Sequence, residues 1–192
     1  MTDSPSPRFR FETTLLSPAG SKKEQTRWSF LLLPKEVSEA LPRRGRTTVS
    51  GTLNGQDFQD TLEPDGQLSH WLKIDEDLQN RAGITPGDSV AVEVRPVANE
   101  PEPPLPSDFQ AALRASPQAN NTWEATTTLA RLDWIHWLDS AKQAKTRNKR
   151  IQDACNMLAE GKKRVCCFDP SGFYSKALKA PEARKHHKSS PD

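Results

Sequence analysis

The residues best equipped for chemistry lie between Lys142 and Arg150. Five cations, Lys142, Lys145, Arg147, Lys149 and Arg150, fall within nine residues with no acid among them. Ammonium and guanidinium groups at this density suit phosphate or carboxylate oxygens through charge-assisted hydrogen bonds. They fall where one helical pattern ends and another begins, so backbone N–H groups seeking acceptors would lie close by. A phosphate ligand, a nucleic acid or an acidic protein face would each fit such a surface. The competing reading is a solvated turn whose arginines pair with Asp139, Asp153 or helix carbonyls.

Cys166 and Cys167 form the second candidate. Adjacent cysteines rarely close a disulfide with good geometry. As thiols they would need a depressed pKa and an accessible sulfur to act in redox or thiol chemistry. The spacing supplies no four-ligand zinc site, so neither a metal nor a cofactor is expected. Cys155 sits on an apolar helical stripe and reads as a small core residue. His70 falls among the inward residues of a strand with no nucleophile or carboxylate beside it in sequence, and reads as a structural histidine. His186 and His187 lie in a basic end, EARKHHKSSPD, that reads as a disordered tail. There is no phosphate loop, no GxSxG and no HExxH. The chemistry of the chain therefore leans away from catalysis and towards binding.

Two helices must position the basic turn. At about 100° per residue, Ala130, Trp134, Trp137, Leu138, Ala141 and Ala144 share one face, which carries the first helix through residue 144. The spacing of Trp134 and Trp137 with Leu138 favours core packing over stacking on a ligand. Thr146 offers an N-cap for the second helix, and Ile151, Ala154, Cys155 and Leu158 form its buried stripe. Gly161 stands where a left-handed C-cap belongs. Upstream, Ser107 would cap a shorter helix through Arg114, with a loop at 117–121.

The first half of the chain reads differently. Phe9, Phe11, Thr13 and Leu15 alternate with Arg8, Arg10 and Glu12, as in a half-buried strand. Further strands are expected over Trp28, Phe30 and Leu32, over 46–53, over 56–62, over Leu68, His70, Leu72 and Ile74, and over Val90, Val92 and Val94. Asn54-Gly55 is a strong hairpin turn signal. Asp75 caps a short helix ending near Gly83. Six short strands without crossover helices imply a small closed six-stranded β-barrel followed by a C-terminal helical module, an α+β chain. The expected divisions are a disordered N-terminus at 1–7, a barrel at 8–96, a Pro/Glu-rich linker at 97–106, helices at 107–164 and an extension at 165–192.

Charge is unevenly spread. Residues 1–100 carry 12 basic and 15 acidic side chains, a net of −3, against +5 for the remainder. An anionic partner would prefer the second half. The opening MTDSPSPRFRF has no apolar h-region, and no apolar run is long enough for a bilayer, so the expectation is a cytoplasmic protein with no membrane span.

Two stretches resemble known families. Residues 8–96 resemble the bacterial domain of unknown function 1905, through Trp28-Ser29-Phe30, Leu33-Pro34-Lys35-Glu36-Val37, the Val49–Gly55 hairpin and Gly83-Ile84-Thr85-Pro86-Gly87-Asp88. Residues 107–164 resemble the bacteriocin-protection, YdeI/OmpD-associated module, through Trp134-Ile135, Ala141-Lys142, Thr146-Arg147, Arg150-Ile151, Leu158 and Gly161. The resemblance implies a barrel followed by a helical bundle and an accessory role in tolerance to bacteriocins or cationic antimicrobial peptides. It implies no enzyme activity and defines no catalytic residues.

Overall fold

The computed structural model describes residues 7–20, 27–165 and 179–184. Two compact units emerge, one of residues 1–98 with 178–192 and one of residues 99–177. The first holds β1 (Phe9–Thr14), β2 (Trp28–Leu32), α1 (Lys35–Glu39), β3 (Thr47–Leu53), β4 (Gln56–Pro64), β5 (His70–Asp75), α2 (Glu76–Ala82) and β6 (Ser89–Pro96). The second holds α3 (Ser107–Ala115), α4 (Pro117–Glu124), α5 (Thr128–Asp139) and α6 (Ala144–Ala159). The chain is α+β.

The six strands form one antiparallel sheet in the order β1-β6-β3-β4-β5-β2. It curls into a half-barrel rather than the closed barrel expected from the strand count. Between the end strands, an isolated bridge joins Leu16, just past β1, to Phe30, and Thr13 Oγ1 donates to the Leu32 carbonyl at 3.3 Å. Beyond Leu16 the chain is engaged elsewhere: the Ser17 carbonyl accepts from the Arg184 amide, and the Ala19 amide donates to the Glu182 carbonyl. Strand alternation turns those groups away from β2, and Pro18, the next residue on the β2 side, has no N–H to extend the ladder.

Period-two alternation set the core face of β1, β3 and β6. Val49, Leu53, Val90, Val92 and Val94 are all buried, with Leu15, Leu62 and Ile74. The turn at Asn54 (φ 47°) and Gly55 (φ 82°) has both central residues left-handed, as a tight hairpin needs. Two strand readings change. Leu31 of β2 and Leu33 just beyond it join the main core cluster, while Phe30, also buried, packs edge-on to Trp71 at 6.2 Å and Lys73 lies over Trp28. Leu68 is not in β5: it is 67% exposed at φ 69°, inside a turn where the Asp65 carboxylate accepts from the Gln67 and Ser69 amides. The local Asx turn overrides the apolar pattern.

The fold brings a hydroxyl to His70 that sequence proximity hid. The ring Nε2–H donates to the Gly45 carbonyl at 3.0 Å, which leaves Nδ1 to accept from Ser38 Oγ. Both side chains are buried, so the pair ties α1 to β5. Burial pushes the His70 pKa below its ordinary value. The folded state therefore holds a neutral ring that the unfolded chain would protonate near pH 6.5. This contribution is complete above that pH and is lost as the pH falls from there towards the depressed folded pKa. Burial moves Asp60 and Glu63 the other way, raising both carboxyls, so their effect favours the folded state as pH falls. Denaturant melts at pH 7.5 and 5.5 on the parent and His70→Asn separate the two. The parent should lose more stability on acidification, by up to about 1.4 kcal/mol per pH unit. Equal losses would remove His70 as the cause.

The helical unit packs around Phe109, Trp123, Trp134, Trp137, Leu138 and Leu158. Trp134 is fully buried, meets Trp137 edge-on at 6.1 Å, and donates from Nε1 to the Lys163 carbonyl at 3.3 Å. Several boundaries shift from expectation. Pro106, not Ser107, is the N-cap of α3, and residues 117–124 form a helix with Pro117 at its first position, where the missing N–H is harmless. The first long helix starts at the Thr127 cap and stops at Asp139, with Ala141 outside it. The next has Gln143 as its N-cap, so Thr146 lies within the first turn and caps nothing. Its C-terminus is as expected. The Gly161 amide bonds to the Leu158 carbonyl and the Lys162 amide to the Met157 carbonyl, with Gly161 at φ 82°, a Schellman motif. Part of the Pro/Glu-rich segment is anchored: Glu102 accepts from Arg131 at 2.8 Å and from Thr128 at 3.1 Å.

Candidate functional site

Lys142 lies in the α5–α6 connection and Lys145, Arg147, Lys149 and Arg150 lie in the first two turns of α6, and the fold gives them different work. Arg147 forms a two-pronged contact with Asp108, Nε to Oδ2 at 2.5 Å and Nη2 to Oδ1 at 3.0 Å, and reaches Asp139 Oδ1 at 2.8 Å. One guanidinium thus joins the start of α3, the end of α5 and the first turn of α6. Those contacts hold the Asp108 carboxyl below its usual range and raise the Arg147 pKa.

Arg150 is buried. Its Nη1 donates to the Trp137 carbonyl and to Ser140 Oγ at 2.8 Å, and its guanidinium lies 5.3 Å from the Trp137 ring centre. It satisfies carbonyl and hydroxyl groups that the end of α5 leaves open. Lys149 pairs with Asp153 one helical turn on, at 2.6 Å. The carboxylates missing from the local sequence are supplied by Asp108, Asp139 and Asp153. Lys142 and Lys145 stay exposed on either side of Gln143, which makes no side-chain cap at the start of α6. Five cations against three carboxylates leave a net of two positive charges there.

The thiol candidate is only partly visible. Cys166 and Cys167 lie outside the described residues, as do His186 and His187. Cys155 is half-buried against the helical core, and burial raises its thiol pKa, away from the range of a reactive thiolate.

Two features escaped the sequence. Arg131 is a hub that donates to the Trp123 and Glu124 carbonyls, Thr126 Oγ1 and Glu102, with its guanidinium 5.6 Å from the Trp123 ring centre. Nothing local marks it, because Glu102 is 29 residues away. On the outer face of the sheet, Glu93 accepts from Arg10 Nε at 2.5 Å and Arg8 Nη1 at 3.5 Å. Arg95 donates to Ser50 Oγ at 3.1 Å. Arg8, Glu93 and Arg95 border a shallow hollow of about 610 Å³ with Ser50, Thr52 and Gln59. The alternation of β1 does place Arg8 and Arg10 outward; only the β1–β6 register reveals that Glu93 neutralises part of their charge.

The arrangement presents two exposed ammonium groups at the start of α6 and holds helices together beneath them. Among the described residues no group of His, Cys, Asp and Glu is placed to hold a metal ion. No helix among them is long and apolar enough to cross a membrane.

Comparison with known families divides the chain at the same place as the fold. No curated protein matches the chain. Residues 11–94 match the model of the domain of unknown function 1905, and this span runs from within β1 to within β6 of the half-barrel. Residues 102–161 match the family described as bacteriocin-protection, YdeI or OmpD-associated, beginning at the Glu102 that Arg131 holds and ending at Gly161 of the α6 C-cap. The chain is thus similar to the domain of unknown function 1905 over its sheet unit and to the bacteriocin-protection, YdeI or OmpD-associated family over its helical unit.

Proposed function

We propose that this chain is a bacterial accessory protein that binds its ligand without transforming it, and that it serves in tolerance to bacteriocins. The physiological half of this reading is supported by the description of the second family. The binding half is carried by one observation: Lys142 and Lys145 stand exposed beside the uncapped first turn of α6, on a frame braced by Arg147 and Arg150. The amide groups of that first turn lack intrahelical partners and add to the pull on an anion. The ligand is then a phosphate-bearing polyanion, with an acidic protein face as the alternative outcome.

The test compares the parent with Lys142→Glu/Lys145→Glu, which leaves the bracing arginines intact. RNA and DNA are titrated at two salt concentrations. Affinity should fall about tenfold or more in the variant, and the salt slope should drop by roughly two. Equal binding by both proteins removes the turn from consideration. Binding by neither at low salt removes nucleic acid and leaves the acidic protein face. Independently, a deletion strain should become more sensitive to bacteriocins; unchanged sensitivity sinks the physiological half.

A further inference from the structure

We infer that the strip Ser17–Ala19, continued by the Asp65 carbonyl, is a docking site for an extended basic peptide, occupied in this protein by its own residues 180–184. The site belongs to the sheet unit and stands whether or not Lys142 and Lys145 bind an anion.

The contact is made by main chain. The Arg184 amide donates to the Ser17 carbonyl at 2.8 Å, and the Ala19 amide donates to the Glu182 carbonyl at 2.6 Å. Between them Pro18 faces Ala183 in an antiparallel bridge. Three residues earlier in the tail, the Ala180 amide donates to the Asp65 carbonyl at 3.2 Å. This is strand addition at a sheet margin, a mode in which backbone bonds supply affinity and side chains supply selection. The prolines fit it. Pro18 stands at the position of the pair that donates nothing, and Pro181 lies between the donor Ala180 and the acceptor Glu182. Neither is asked for an N–H it does not have.

Backbone hydrogen bonds of this kind contribute modestly, so the tail gains from its tether. A covalently linked segment competes at a high effective concentration, and a free peptide of the same kind meets the site only when the tail leaves. The tail states the ligand class. Residues 179–192 carry Lys179, Arg184, Lys185 and Lys188 against Glu182 and Asp192, while residues 1–100 have a net charge of −3. A basic segment therefore docks on the acidic half of the chain, and unlike charges favour that encounter.

The probe is a fluorescently labelled peptide of residues 179–192, titrated by anisotropy into full-length protein. Ala180→Pro/Arg184→Pro removes both N–H donors of the tail and leaves the strip unaltered. The peptide should bind this variant at least tenfold more tightly than the unmodified chain, whose tail competes. Equal affinity for the two proteins, or no binding to the variant, overturns the site. A peptide with glutamine in place of Lys179, Arg184, Lys185 and Lys188 should bind at least threefold more weakly; undiminished binding overturns the assignment to basic peptides. Circular dichroism checks that the variant is folded. If it is not, hydrogen exchange on the unmodified chain decides: at least tenfold protection of the Ala19 and Arg184 amides supports the docked tail, and exchange at free-peptide rates overturns it.

Discussion

Replacing Gly51 by alanine should destabilise the sheet unit by about 3 kcal/mol or more. Gly51 lies in β3 opposite Val94 of β6. A Cβ built there would stand 1.8 Å from the Glu93 carbonyl oxygen, 2.8 Å from its carbon and 3.0 Å from the Val94 Cα. All three are backbone atoms of the neighbouring strand, so no rotamer change relieves the clash. The strands must separate, and β6 is the link between β1 and β3. Glycine is thus required by close backbone approach at this position, not by its φ. Gly45→Ala is the control, because a Cβ there meets nothing within 4 Å and its φ is ordinary. Calorimetry on the full chain should show the sheet transition lowered by roughly 10 °C or more for Gly51→Ala. Hydrogen exchange should locate the loss in the Val92 and Val94 amides. A loss below about 1 kcal/mol would show that the β3–β6 pair yields more easily than its geometry implies.

Arg150→Ala should destabilise the helical unit by about 3 kcal/mol, from lost charge-assisted hydrogen bonds and the stacked contact with Trp137. The Trp137 carbonyl and Ser140 hydroxyl would lose a partner in a buried setting. Arg150→Lys should recover little, since an ammonium has neither the planar fork nor the stacking face. Arg147→Ala should matter less, about 1 kcal/mol, because its ion pairs are partly solvated. Lys142→Ala and Lys145→Ala should be close to neutral. Urea melts on this series would sort these four cations into braces and exposed charges. A neutral Arg150→Ala would return that residue to the binding surface.

The ranking of those cations was not legible in the sequence. Lys142, Lys145, Arg147, Lys149 and Arg150 look alike in a run, and helical spacing alone offers Asp139 and Asp153 as partners. The partner that makes Arg147 a brace is Asp108, 39 residues upstream. No local pattern reports a contact at that separation. The fate of Arg150 depends on where α5 stops. An amphipathic wheel carried through Ala144 hides the helix end at Asp139, and with it the Trp137 carbonyl that Arg150 fills.

The sequence by itself determined what depends on neighbours along the chain. Alternation placed the core faces of β1, β3 and β6; Asn54-Gly55 dictated a left-handed hairpin turn; Asp75 and Gly83 bounded α2; Gly161 ended α6. It also carried enough family-specific residues to identify both domains. These outcomes follow from side-chain period and allowed φ/ψ, which are local properties. The tertiary structure alone decided three others. It left the sheet an open half-barrel and paired Ser17 and Ala19 with the tail. It set Ser38 against His70, 32 residues away. It chose which cations are buried or ion-paired and which stay exposed. Each depends on backbone or charged groups finding partners far along the chain, and satisfying a buried polar group is a property of the folded whole.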